Sequence, residues 1–287
     1  MRNVQEVPRP PDRPDDAHKG TFGTVIVVGG CATMIGAPAL AGGAALRGGA
    51  GLVKIASRSE VIHPALTIEP EATGIVLPDD LGQLDVVLNR ADPLKKAVLA
   101  VGPGLGCEAW AGELAAMLWR SLRPAVVDAD ALNLLAMQDQ HQPADAHAIR
   151  VMTPHPGEFV RLAKPVGITL DPVDPRTRPE AATRLADIYQ AVVVLKGAGT
   201  IVSDGDQLYV NTTGNPALAT AGTGDVLTGL LASLLAQGME PFDAAVLGVY
   251  LHGLAGDFWQ NQYGSSGLTA GDLVRLLPQA FCQHRHK

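Results

Sequence analysis

Hydrophobic positions along this chain follow two alternating rhythms. One is a set of short, unbroken, β-branched runs: Val25-Ile26-Val27-Val28, Leu52 to Ala56, Ala97 to Val101, Ala125 to Asp128, Val151 to Thr153 and Val192 to Leu195. Runs of this length, bounded by glycine or polar residues, predict strands buried on both faces. Between them lie alanine- and glycine-rich or amphipathic stretches that predict helices, such as Gly36 to Gly49, Glu108 to Arg120 and Glu180 to Tyr189. Buried strands alternating with helices predict an α/β fold with a mainly parallel sheet covered on both faces. After Gly199 the rhythm changes. Thr200 to Ser203 and Leu208 to Asn211 flank Asp204-Gly205-Asp206, a hairpin signal. Three helical stretches follow with no strand between them: Val226 to Ala236, Phe242 to Trp259 and Leu273 to Phe281.

The proline-bearing segment 165–179 reads as a surface loop and not as a linker, because the sheet resumes after it. Residues 1–18 are rich in proline and aspartate and have no apolar core of the kind a signal peptide needs; they predict a mobile N-terminal arm. Residues 19–287 then form one domain. A chain of 287 residues can bury a sizeable core, and 47% hydrophobic with 18% charged residues excludes general disorder. The charge-free run from Gly20 to Leu46 is broken by glycines and Pro38, and its apolar centre is too short to span a bilayer. A net charge of -7 argues against nucleic-acid and anionic-membrane binding. It leaves room for an anionic small ligand held by backbone amides. Cys31, Cys107 and Cys282 form neither a CxxC pair nor a Cys/His cluster, which fits reduced thiols and a cytoplasmic location better than a disulfide framework or a zinc site.

Candidate chemistry lies in the loops that follow the strands. Ala221-Gly222-Thr223-Gly224-Asp225 runs directly into a helix, so close-approach glycines and free helix-end amides form an anion site suited to a phosphoryl group. Asp225 at its mouth is either a base for a hydroxyl attacking phosphate or a helix cap. Lys196-Gly197-Ala198-Gly199-Thr200 ends a strand, where ligands of open α/β sheets bind; Lys196 either contacts phosphate or snorkels from the sheet. Gly102-Pro103-Gly104-Leu105-Gly106 supplies exposed backbone at the same edge, with a spacing unlike the dinucleotide fingerprint. Asp128, Asp130 and Asn133 either offer oxygens to Mg²⁺ through water or, for Asp130, cap the next helix. In Thr153-Pro154-His155-Pro156-Gly157-Glu158, two prolines hold His155 rigidly, for substrate contact or as a structural turn. Jointly, these loops predict one crevice at the carboxyl edge of the sheet.

Taken in order with Lys19-Gly20, Val28-Gly29-Gly30, Gly36-Ala37, Ala44 to Val53 and Gly214-Asn215-Pro216, these motifs resemble the ADP-dependent NAD(P)H-hydrate dehydratase family, from about Lys19 to the last helix. The resemblance implies a ribokinase-like three-layer α/β/α sandwich and a lyase of metabolite repair. Such an enzyme returns (S)-NADHX and (S)-NADPHX to NADH and NADPH, with ADP or ATP as co-substrate and Mg²⁺ as cofactor. By the family pattern, Lys196, Gly197, Ala198, Gly199, Thr200 and Gly224 bind the adenine nucleotide. Ala37, Gly104, His155 and Asp225 face the hydrate, with Gly106 added from the same loop, and Asp225 is the catalytic base. The family pattern also implies a homotetramer and a separate NAD(P)HX epimerase as functional partner, since only a short segment precedes Lys19 here. Two departures stand out: Ala221 replaces a frequent glycine, and Cys31 to Ile35 is an unusual segment. The alternatives are a vitamin-precursor kinase of the same fold, which shares the Gly-x-Gly-Asp loop, and a non-catalytic nucleotide sensor.

Overall fold

A computed structural model describes residues 2–138, 145 and 147–286. Its centre is a ten-stranded sheet. Strands β2 (Thr24–Val28), β5 (Val98–Val101), β6 (Ala125–Val127), β7 (Arg150–Met152) and β8 (Val192–Leu195) lie side by side and parallel. Beyond β2 the sheet continues, still parallel, through β3 (Leu52–Ser57) to β4 (Thr73–Val76). On the other side β9 (Ile201–Ser203) runs antiparallel between β8 and β10 (Gln207–Val210), as the hairpin signal predicts. The fold expected from the sequence, a mainly parallel sheet between helical layers, is the fold observed.

Alternation along each strand assigns its residues to two cores. Val25, Val27, Val98, Ala100, Val192 and Val194 face one core with α1 (Gly36–Arg47), α2 (Ser59–Ile68), α8 (Thr223–Ala236), α9 (Pro241–Tyr263) and α10 (Ala270–Arg285). Ile26, Val28, Leu99, Val101, Val193 and Leu195 face the other. That second core carries α3 (Leu84–Ala91), α4 (Ala109–Arg120), α5 (Ala129–Ala136), α6 (Pro156–Ala163) and α7 (Arg178–Tyr189). Small residues decide how closely α1 and α8 approach. A Cβ at Gly229 would run into the carbonyl of Ala41, so that contact requires glycine. On the opposite side Arg150 is fully buried and donates to the carbonyls of Leu118, Trp119 and Arg123 at 2.7–3.2 Å, closing the open end of α4.

The N-terminal segment corrects the expectation of a mobile arm. Arg2, Asn3 and Val4 form β1 (Arg2–Val4), paired in parallel with Gln207, Leu208 and Tyr209 of β10. His284 Nε2 donates to the Pro8 carbonyl at 2.9 Å and Arg285 to that of Pro11 at 2.9 Å. Arg13 donates to the Gly49 carbonyl at 3.0 Å and stacks 3.5 Å from the Phe22 ring. The physical reason is the edge of β10: its backbone groups need partners, and a three-residue strand supplies them whatever the composition around it. Between Ser59 and Ala91 the structure also adds α2, β4 and α3, which the hydrophobic pattern does not isolate. Strand β4 is an edge with only Ile75 buried, and α2 contains Pro64.

The loops after β2, β5, β6, β7 and β8 emerge along one edge, in the order of adjacent strands. Between β5 and β2 the direction of strand order reverses, which opens a crevice at the carboxyl ends.

Candidate functional site

Helix α8 begins at a residue that has to be glycine. Gly222 has φ +86°, and a Cβ there would meet Leu40 at 2.8 Å and Ala270 at 2.9 Å. Gly222 is the N-cap, so Asp225 is not: it lies three residues further in, among the free amides of the first turn. Its carboxyl is pushed up from 3.8 to about 7 by burial, with the charges of Asp128, Asp130 and Glu158 adding and Lys196 opposing.

Lys196 leaves the end of β8 and turns inward. Its ammonium lies 2.7 Å from Asp128 Oδ1 and 3.7 Å from Glu158 Oε2. Burial alone would lower the lysine, but Asp128, Glu158 and Asp225 more than offset this and hold it above its ordinary value. Glu158 is raised in turn, first by burial and then by Asp128, against the opposing charge of Lys196. The snorkelling alternative for Lys196 is therefore not what the structure shows: the ammonium is paired inside the crevice.

His155 caps α6. Its Nδ1 accepts from Gly157 N at 2.9 Å and from Glu158 N at 3.4 Å, while Glu158 Oε2 accepts from His155 N at 2.8 Å. As an acceptor Nδ1 carries no hydrogen, which leaves Nε2 to donate toward Glu158 Oε1 at 3.4 Å. The His155 side chain stays half exposed. Gly104, with φ +61°, sits against Ala37, whose Cβ would be 3.0 Å from a Cβ at Gly104. Gly106 N donates to Asp130 Oδ2 at 2.8 Å. So Asp130 braces the loop after β5 and does not cap α5, whose N-cap is Asp128.

The six residues expected at the nucleotide share one cavity of about 500 Å³. Lys196, Gly197, Ala198, Gly199, Thr200 and Gly224 line it together with Asn211, Thr213, Asn215 and His252. Ala37, Gly104, Gly106, His155 and Asp225 lie outside that lining. Asp225 directly follows Gly224 of that lining and lies within reach of the charges of Asp128, Asp130, Glu158 and Lys196. Arg178 props the cavity's loop from beneath, donating to Ala198 O at 2.6 Å, Leu195 O at 2.9 Å and Lys196 O at 3.1 Å. Asp257 holds the facing loop through Gly214 N at 3.1 Å and Asn215 Nδ2 at 2.8 Å. His252 is lowered to about 4, chiefly by burial, and as a neutral ring donates from Nε2 to the Thr223 carbonyl at 2.9 Å. Sequence reasoning missed Asn211, Thr213, His252, Arg178 and Asp257. Only the Asn215-Pro216 pair signals that loop in advance.

The magnesium expectation for Asp128, Asp130 and Asn133 does not fit the geometry. Asp128 is taken by Lys196 and Thr228, Asp130 by Gly106, and Asn133 Oδ1 accepts from Arg161 at 3.0 Å. Among the described residues no three His, Cys, Asp or Glu side chains converge on a metal position. The described residues alone therefore do not compose the octahedral oxygen cage that Mg²⁺ demands.

A sequence profile of the NAD(P)H-hydrate dehydratase family matches residues 25–279, the loops just described included. The chain belongs to this family. It is 40% identical over 271 residues to the ADP-dependent (S)-NAD(P)H-hydrate dehydratase of Neisseria meningitidis, covering 91% of this chain and 86% of that one. To the bifunctional NAD(P)H-hydrate repair enzyme Nnr of Moorella thermoacetica it is 43% identical over 281 residues, covering 93% of this chain and 51% of the relative. The chain thus spans about half the length of the bifunctional relatives it matches. Among solved structures, the Bacillus subtilis ADP/ATP-dependent NAD(P)H-hydrate dehydratase, co-crystallized with ATP/Mg²⁺, superposes with TM-score 0.78 at 32% identity, covering 95% of this chain and 94% of that one. A ribokinase-like superfamily protein of Enterococcus faecalis superposes with TM-score 0.80 at 27% identity over 99% and 96% of the two chains. The family's fold is ribokinase-like, and this chain has it.

Proposed function

We propose that this chain is a hydro-lyase that removes water from (S)-NADHX and (S)-NADPHX, consuming ADP or ATP. The observation that carries the reading is Asp225: a carboxyl raised to about 7, in the first turn of α8, beside the nucleotide-sized cavity lined by Lys196 to Thr200 and Gly224. The nucleotide occupies that cavity with its terminal phosphate at the α8 amides, where the helix dipole and free N–H groups stabilise negative charge. The hydrate lies over Ala37, Gly104, Gly106 and the half-exposed side chain of His155. Ionised Asp225 takes the proton of the ring hydroxyl, and the oxygen attacks the terminal phosphorus, releasing the shortened nucleotide. The new phosphate ester leaves far more readily than hydroxide. The ring nitrogen's lone pair expels it, loss of the neighbouring C–H proton restores the double bond, and free phosphate departs. Magnesium belongs to the nucleotide in this reading: it arrives on the phosphates and supplies charge neutralisation there.

The same reading includes a cytoplasmic homotetramer working with an NAD(P)HX epimerase, because dehydration of one epimer leaves the other. No helix among the described residues is long and apolar enough to cross a membrane. The test is absorbance at 340 nm with mixed NADHX epimers, Mg²⁺ and each nucleotide in turn. A nucleotide-dependent rise that stops when one epimer is consumed supports the dehydratase. A stable phosphorylated product with no rise transfers the assignment to a kinase of the same fold.

A further inference from the structure

The carboxylate of Asp128 is 1% exposed and both its oxygens are engaged by groups from other parts of the fold. Oδ1 receives the Lys196 ammonium at 2.7 Å, from the loop after β8. Oδ2 receives the Thr228 hydroxyl at 2.7 Å, from α8. Thr228 also lies 3.1 Å from the Gly224 carbonyl, but a hydroxyl has one hydrogen, and the shorter, charge-assisted bond takes it. Thr228 is three residues after Asp225, on the same face of α8 and under the first turn. Gly224 closes the arrangement: a Cβ there would be 3.5 Å from Lys196 Nζ and 3.7 Å from Asp128 Oδ2. The backbone at Asp128 is held as firmly. Asp128 N donates to Val101 O at 3.0 Å, and the next residue, Ala129, takes φ +50°, which an alanine adopts only when its surroundings impose it.

We propose that Asp128 is a positioning residue for Asp225: it ties α8, through Thr228, and the Lys196 ammonium to one buried point at the end of β6, which fixes the first turn of α8 and keeps the lysine on Asp128 instead of on Asp225. The proposal rests on Asp225 being the base of the reaction. The groups that face Asp225 are Asp128 from β6, Asp130 from α5, Glu158 from α6 and Lys196 from beyond β8. His252 of α9, bonded to the Thr223 carbonyl, is neutral, and the neighbours a Cβ at Gly222 would meet from α1 and α10, Leu40 and Ala270, are apolar. Asp128 therefore bears on Asp225 in two ways: its charge repels the ionised carboxyl, and it holds the Lys196 ammonium, which opposes that repulsion. Removing its charge acts twice in the same direction. Repulsion on the ionised Asp225 falls, and Lys196 is freed to turn toward it.

Three variants and two readouts, an NMR titration and steady-state kinetics, test this. Carboxyl carbon NMR of Asp225 is followed by pH titration in the chain without nucleotide, substrate or metal, so its outcome does not depend on turnover. In Asp128→Asn the Asp225 titration moves down by about one pH unit, and the acid limb of kcat/KM moves with it. Thr228→Val leaves every charge in place and loosens only the helix; it lowers kcat about tenfold, and Thr228→Ser recovers most of that loss. An Asp225 titration unmoved in a folded Asp128→Asn chain overturns the proposal. Should Asp128→Asn fail to fold, an unchanged kcat in Thr228→Val overturns it instead. A wild-type chain without dehydratase turnover refutes the proposed reaction, while the NMR titration still decides the coupling.

Discussion

Replacing Asp225 with asparagine should abolish turnover and make the folded protein more stable at pH 8. The carboxyl titrates near 7 in the folded chain against an ordinary value of 3.8. Between those two pH values the folded state holds a proton that the unfolded chain has already lost. Stability therefore falls as pH rises from about 4 to about 7, and the whole cost is present above that. At about 1.4 kcal/mol for each pH unit between the two values, the upper bound is about 4 kcal/mol. Asparagine has nearly the shape of the neutral acid and never ionises. Its gain is smaller than the bound, because Lys196 loses one of its three neighbouring anions; about 2 kcal/mol at pH 8 is the expected size. Well below pH 3.8 the carboxyl is protonated in both the folded and the unfolded chain and the ionisation contribution vanishes; at pH 4.5 only about a quarter of it is present. Guanidinium unfolding of both proteins at pH 4.5, 6 and 8, with unchanged slope, reads the difference directly. Equal midpoints at pH 8, or a gain at pH 4.5 as large as at pH 8, would refute the argument that Asp225 is held ionised against its surroundings.

Other expectations follow from the same geometry. Because Asp225 accepts a proton only when ionised, kcat/KM should rise through pH about 7 with one ionisation on the acid limb, and a limb near 4 would remove it as the base. Arg178→Met withdraws the donors to the Leu195, Lys196 and Ala198 carbonyls, and calorimetry should find ADP bound about tenfold more weakly; wild-type affinity would show that the loop holds its shape unaided. Arg150→Met leaves the carbonyls at the end of α4 without donors, and thermal and guanidinium unfolding should report about 3 kcal/mol lost with kcat at 25 °C intact. A loss below about 1 kcal/mol would mean water replaces the guanidinium there.

Legibility in the sequence followed the range of the interaction concerned. The inner strands were readable because burial on both faces leaves unbroken apolar runs, as in Val25 to Val28 and Val192 to Leu195. The site loops were readable because each joins such a run to glycines or polar residues, and chain connectivity alone places them at the carboxyl edge. Edge elements were not. The β1 strand is three residues among prolines, and its partner lies some 200 residues away, so nothing local marks it. Within the site, identity was readable and pairing was not. Asp225 could be a cap or a base on sequence grounds, and the structure removes the first reading by putting the cap at Gly222, three residues earlier. Lys196 could face solvent or the crevice, and Asp128, brought beside it across 68 positions, decides. His252 sits midway along a helix buried on most sides, where no period separates a cavity-lining position from a core one. The chemistry proposed here depends on those pairings. A carboxylate in the first turn of a helix is ordinarily a modest stabiliser, favoured by the dipole. At Asp225, burial and the charges of Asp128, Asp130 and Glu158 outweigh the dipole and the opposing Lys196, and that surplus of buried negative charge lifts a common helix-start carboxyl to about 7, the property the proposed role as base requires.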